Sequence, residues 1–124
     1  MNPINPVVEY DIAVIGAGQA GPILAMSLAS HGEKVVLIEG GLVGGSCVNF
    51  GCTPTKTLRK SARVAHLLRN AAEFGVKAGT IDIDFAFSME RMQQRVDASR
   101  ARLENAIARQ IGLTFLQACA AYSG

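Results

Sequence analysis

Two clusters in the sequence combine residue types and spacings that do chemistry. Cys47 and Cys52 form a C-x4-C pair just ahead of Thr53-Pro54, where a helix is expected to start with Thr53 as its cap and Pro54 in its first position. The N–H groups and positive dipole end of a helix's first turn favour a thiolate, and Lys56 one turn on adds a positive charge, so thiolate character is expected at Cys52. Such a thiol is a good leaving group and a good electron donor. Zinc needs four ligands, whereas only Cys119, His31 and His66 remain as soft candidates and none is paired at short spacing. No metal is therefore expected, and the pair reads as a redox dithiol or a bland buried pair. His66, in mid-helix, reads as a packed or solvated face residue, and Cys119, in an expected strand, as a small core hydrophobe.

The second cluster is Gly16-Ala17-Gly18-Gln19-Ala20-Gly21, a G-x-G-x-x-G directly after an expected strand and opening an expected helix. Gly16 permits the tight turn, Gly18 lets the backbone reach a pyrophosphate, and Gly21 lets helix and strand pack closely. The helix N-terminus offers its N–H groups to a diphosphate, and Glu39 is placed to accept hydrogen bonds from an adenosine ribose while disfavouring a 2′-phosphate. This motif does not separate FAD from NAD.

These clusters need elements to hold them. Tyr10 to Ile15 and Lys34 to Glu39 are short apolar runs of the kind buried on both faces of a parallel sheet. Between them Ile23, Leu24, Met26, Leu28 and Ala29 recur at helical spacing from Gln19 to His31, which completes a βαβ unit. Gly40 to Gly51 carries five glycines and reads as a loop. A helix is expected from Thr53 to about Glu73, a short strand or extended segment at Ile81 to Asp84, a long helix from about Phe87 to Gln110, and a strand at Leu113 to Leu116. The fold expected is α/β, a partial doubly wound, Rossmann-like parallel sheet with long helices.

Composition narrows the alternatives. The 124 residues, 49% hydrophobic, suffice for one domain core, and twelve Lys and Arg against ten Asp and Glu leave +2, too balanced to suggest a nucleic-acid partner. The run Lys56, Arg59, Lys60, Arg63 and Arg69, with no acid before Glu73, reads as a solvated helix face, with an acidic partner or an anionic cofactor as the sharper alternative. Met1 to Tyr10 lacks a basic residue and carries two prolines, unlike an export signal. The most apolar window, Ala17 to Ala29, is far short of the roughly 20 residues of a membrane span. A cytoplasmic protein without membrane contact is expected, in which three cysteines do not make a disulfide framework.

The segment Gly44-Gly45-Ser46-Cys47-Val48-Asn49-Phe50-Gly51-Cys52-Thr53-Pro54-Thr55-Lys56 resembles the active-site segment of the pyridine nucleotide-disulfide oxidoreductases, which include dihydrolipoamide dehydrogenase, glutathione reductase and mercuric reductase. Its distances from Gly16 to Gly21 and from Glu39 are those the family uses. Ala118-Cys119-Ala120-Ala121-Tyr122 is similar to the family's G-x-A-x-F, with alanine at 118 and tyrosine at 122 as departures. Serine at 46 stands where threonine is usual, and Thr55 where serine is commoner.

The resemblance implies FAD as the first dinucleotide, with NAD(P)H as co-substrate. It implies cofactor contacts at Gly16, Gly18, Gln19, Ala20, Gly21, Glu39, Gly40, Gly45, Ser46, Cys52 and Lys56, and at Ala120 beside the adenine. Cys47 would exchange with substrate, Cys52 would lie beside the flavin ring, and Lys56 close to its N5 region. Electrons in the family pass from NAD(P)H to FAD, to the disulfide and then to a small-molecule disulfide or metal ion, or in reverse from a dithiol. Residues 1–124 would be the N-terminal segment of an FAD-binding domain, with the nicotinamide-binding and dimer-interface domains absent and no turnover alone. The full-length form would be a homodimer. The fragment is expected to self-associate, chiefly through the stripe Met89, Met92, Val96, Leu103, Ile107 and Ile111. Two other readings are a stand-alone nucleotide-binding module whose cysteine pair closes a loop, and an NAD-dependent Rossmann enzyme.

Overall fold

The computed structural model describes residues 7–123; the first six residues of the Met1 to Tyr10 segment, read above as lacking an export signal, lie outside that range. The element order is β1 (Ile12–Ile15), α1 (Gly21–Ser30), β2 (Val35–Glu39), α2 (Gly45–Asn49), α3 (Cys52–Arg69), a 3-10 turn (Ala71–Phe74), α4 (Phe85–Arg109) and β3 (Leu113–Gln117). The three strands form one parallel sheet in the order β1-β2-β3. Ile12 pairs with Val35, and Val35 with Leu113. The central position of β2 explains its unbroken apolar run, because Val35, Val36 and Leu37 are all buried. The fold is α/β, as expected.

The chain divides into two compact units. The first comprises residues up to Val43 together with Leu103 onward. Its core is Val14, Ala17, Ala25, Ala29, Val35, Leu37, Val43 and Ile107, with Leu113 and Phe115 packed against it. The face that α1 buries differs from the one expected: Pro22, Ala25 and Ala29 are buried while Ile23 and Leu24 are exposed. The glycine motif explains this. A Cβ at Gly21 would lie 1.9 Å from the Gly16 carbonyl oxygen, so helix and loop approach too closely for large side chains, and small residues at four-residue steps fill the contact. Pro22 sits at the helix start, where its missing N–H removes no helical bond.

The second unit, Gly44–Arg102, contains α2, α3 and most of α4. Several boundaries move. The glycine-rich stretch read as a loop contains the five-residue α2, since Gly44 and Gly45, at φ 95° and 59°, turn the chain into Ser46 to Asn49. Helix α3 starts at Cys52, capped at Gly51, so Thr53 and Pro54 lie inside the first turn rather than at the cap. Proline is tolerated there because the first N–H groups of a helix have no intrahelical acceptor. At its other end α3 stops at Arg69, four residues short of Glu73, and tightens into the 3-10 turn.

Ile81 to Asp84 forms no strand. Asp84 Oδ1 accepts the Phe87 N–H at 2.8 Å, the N-cap arrangement, which starts α4 at Phe85 rather than Phe87. Strand β3 runs one residue further than expected, to Gln117, and Cys119 lies beyond it, exposed rather than in the core. The α4 stripe is not the bare face expected. Of its six residues, Val96 and Ile107 are buried and Met92 and Leu103 half-buried, while only Met89 and Ile111, at its two ends, are exposed; other exposed large apolar side chains include Phe74, Phe85 and Phe87.

Candidate functional site

In the first unit the site is built at the ends of β1 and β2. Gly16, at φ 99°, turns the chain out of β1 while its N–H donates to the Ile38 carbonyl at 2.7 Å. A Cβ placed on Gly16 or Gly18 would meet nothing within 4 Å, so the loop's outer side is open to an approaching ligand. Gln19 and Ala20 follow, exposed, and Ala20 caps α1 without any side-chain hydrogen bond. That helix start therefore suits a diphosphate.

Glu39 does more than its sequence position announces. Its Oε2 accepts the Ala17 N–H and its Oε1 the Gly41 N–H, both at 2.6 Å, so one carboxylate ties the loop after β1 to the chain leaving β2. A carboxylate has about four lone-pair sites, which leaves capacity for hydroxyl groups. The segment after β3 joins the same place. The Ala118 N–H donates to the Glu39 carbonyl at 2.9 Å, and the Gln117 amide donates to the carbonyls of Glu39 and Gly41. A Cβ on Gly40 would come within 2.8 Å of the Cys119 sulfur. Gly40 is thus packed beside the chain leading to Ala120. Gln117 had no sequence signal, because it stands one residue past the apolar run of β3.

The two backbone bonds, that from Ala17 first, hold the Glu39 carboxyl below its ordinary pKa. The charged form is therefore favoured by folding. Its stabilisation is fully present above the ordinary carboxylate value and is lost as pH falls through the lower folded value. Glu39→Gln should cost about 1–2 kcal/mol at pH 7, the scale of hydrogen bonds to a charged group discounted for partial exposure, and the gap to wild type should close on acidification. Thermal unfolding between pH 7 and pH 3 checks this; a constant gap would contradict it.

In the second unit α2 carries Cys47 and the head of α3 carries Cys52. A Cβ on Gly44 would meet Val48 Cβ at 2.6 Å, so that close turn requires glycine. Ser46 is exposed, Gly45 and Cys47 are half-buried, and Cys52 is exposed as the first residue of α3, with no acidic residue in that first turn. The two thiols meet. A hydrogen bond to the Cys52 side chain, followed by loss of solvent, pushes the Cys47 thiol above its ordinary pKa, while the Lys56 charge pulls it the other way.

Asn49 and Arg100 complete this cluster and were missed as a pair. Asn49 is buried, its amide donating to the Gly45 carbonyl at 2.8 Å and its Oδ1 accepting from Arg100 at 2.9 Å. Asn49 stands inside the cysteine motif, but nothing in the sequence links it to a residue 51 positions away. His66 is exposed on α3 and contacts Asn70. Among the described residues no three His, Cys, Asp or Glu side chains cluster as metal ligands, and no helix is long and apolar enough to cross a membrane. Of the expected site residues, Gly16, Gly18, Gln19, Ala20, Gly21, Glu39, Gly40 and Ala120 belong to the first unit, and Gly45, Ser46, Cys47, Cys52 and Lys56 to the second.

Residues 10–115 match the model of a family described as pyridine nucleotide-disulphide oxidoreductase. The chain is 44% identical over 86 residues to dihydrolipoyl dehydrogenase of Chlorobaculum parvum, covering 69% of this chain and 18% of that protein. It is 37% identical over 113 residues to mercuric reductase of Shigella flexneri, covering 90% and 20%. A solved structure of the HOCl-induced flavoprotein disulfide reductase RclA from Escherichia coli superposes with a TM-score of 0.64 at 30% identity, covering 86% of this chain and 21% of that one. The chain thus spans about a fifth of the length of these relatives.

Proposed function

Because the chain belongs to the pyridine nucleotide-disulphide oxidoreductase family, we propose that it is the FAD-binding, dithiol-bearing N-terminal segment of such an oxidoreductase. The observation that carries this reading is the placement of Cys47 on the short helix α2 and of Cys52 as the first residue of α3, near enough that Cys52 is the leading influence on the Cys47 thiol. The open backbone at Gly16 and Gly18, beside a helix start without a side-chain cap, fits the diphosphate of FAD. Gly16, Gly18, Gln19, Ala20 and Gly21 would hold that diphosphate, Glu39 the ribose, and the chain from Gly40 and at Ala120 the adenosine end. Gly45, Ser46 and Lys56 are assigned to the flavin end. Bound there, FAD supplies a two-electron relay between a nicotinamide nucleotide and the cysteine pair.

The protein's own part is thiol exchange. The Cys47 sulfur attacks a substrate disulfide while its proton passes to the departing sulfur, forming a mixed disulfide and releasing the first substrate thiol. The Cys52 sulfur then attacks Cys47 Sγ, the second substrate thiol leaves with the remaining proton, and two electrons have moved to the substrate. A dithiol substrate runs the same steps backwards, and a thiophilic metal ion would bind the same reduced pair. Substrate class, NAD(P)H use and a homodimeric full-length enzyme are parts of this proposal.

Titration of FAD into the chain tests the cofactor assignment. Glu39→Ala removes both a ribose acceptor and the tie to Ala17, so FAD should bind about tenfold or more weaker, the loss of a charged hydrogen bond. Equal affinity of variant and wild type would overturn the assignment.

A further inference from the structure

Helix α2 has five residues, well below the roughly 12 a helix needs to hold itself, and its cap, Gly44, supplies no side chain. Its geometry must come from tertiary anchors. Two of its residues, Val48 and Asn49, are buried, and Asn49 is the polar one, 8% exposed. The Asn49 amide folds back on the Gly45 carbonyl, which ties the end of α2 to its beginning. Its Oδ1 receives the Arg100 guanidinium at 2.9 Å, and the same guanidinium is oriented on α4 by Asp97 at 2.6 Å. A line of bonds thus runs from Asp97 through Arg100 and Asn49 to α2, the element that carries Cys47.

We propose that Arg100 is a positioning residue for the cysteine pair: acting through Asn49, it holds α2 so that the Cys47 sulfur stays within bonding reach of Cys52. The hydrogen bonds of Arg100 go to Asn49 and Asp97. This inference rests on the redox reading of the pair given above. A disulfide tolerates only a narrow range of Cα separation and sulfur geometry, so freeing α2 spreads Cys47 over positions that cannot close the bond. The guanidinium suits the task because it donates to Asp97 and to Asn49 from one rigid plane, which an ammonium does not.

The test equilibrates the whole chain with glutathione, in which the two thiols and one oxidised glutathione give the intramolecular disulfide and two reduced glutathiones. Arg100→Leu should lower the equilibrium constant for disulfide formation about tenfold, equivalent to a potential about 30 mV less reducing. Arg100→Lys, which keeps the charge and one donor, should recover part of that shift and guards against a failure of the leucine variant to fold. Arg91→Leu serves as the control, because Arg91 reaches the Thr57 carbonyl and Ser61 on α3 rather than α2. Its potential should stay that of wild type. If wild type oxidises and the Arg100 variants share its potential, or if Arg91→Leu shifts it equally, the positioning role is wrong. If wild type never forms the disulfide, the redox reading itself is wrong.

Discussion

Gly21→Ala should destabilise the first unit by about 3 kcal/mol or more, beyond the usual range for overpacking. The added Cβ would lie 1.9 Å from the Gly16 carbonyl oxygen and 3.0 Å from its carbon, both backbone atoms that no rotamer change can move. Relief requires α1 to leave the sheet or Gly16 to abandon its bond to the Ile38 carbonyl. Either change spoils the loop that is proposed to receive the diphosphate. Gly18→Ala is the contrast, since its Cβ meets no atom within 4 Å. Denaturant unfolding should show a large loss for the first variant and a small one for the second. Equal losses would mean that the close approach of helix and loop is not what the glycine serves.

Cys52→Ala should abolish the intramolecular disulfide and at the same time make Cys47 more reactive. The hydrogen bond to Cys52 is the leading cause of the raised Cys47 thiol, so its removal returns that thiol toward the ordinary cysteine value. Below the pKa, the thiolate fraction grows about tenfold for each unit by which the pKa falls. Nucleophilicity declines more slowly, with a Brønsted coefficient of about 0.4–0.5, so the net rate rises. Alkylation near neutral pH, with the modified peptide located by mass spectrometry, separates Cys47 from the exposed Cys119. Unchanged Cys47 reactivity in the variant would mean that the thiols do not bond in solution.

What the sequence reveals follows from which interactions are local. β2 is legible because a strand buried on both faces leaves an unbroken apolar run, and the glycine motif because its conformational demands fall on the residues themselves. β1 carries a similar run, but of its residues only Val14 is buried, while Ala13 and Ile15 are exposed, so the expectation of burial on both faces fails there. Helix α2 is invisible for the opposite reason: five residues give no period, and its neighbouring glycines argue for a loop. Asp84 looks like one half of an alternating strand until its side chain is seen to cap α4. The α4 stripe shows a helix but not its cover, since Ile107 is buried against core residues distant in sequence, such as Val14 and Val35. Cys47, Cys52 and Glu39 are legible as chemistry. The tie from Ala17 to the Glu39 carboxylate and the Arg100 tie to Asn49 are not, because each joins residues brought together only by folding.

The central claim, that Cys47 and Cys52 are a reversible redox pair, is tested most directly by counting thiols. The folded chain is equilibrated with oxidised or with reduced glutathione, quenched, unfolded and titrated. Of the three cysteines, reduced protein should show three thiols and oxidised protein one, that of Cys119, with one internal disulfide and no bound glutathione. Three thiols after oxidation of folded protein, or a disulfide that joins Cys119 to either of the others, would contradict the account.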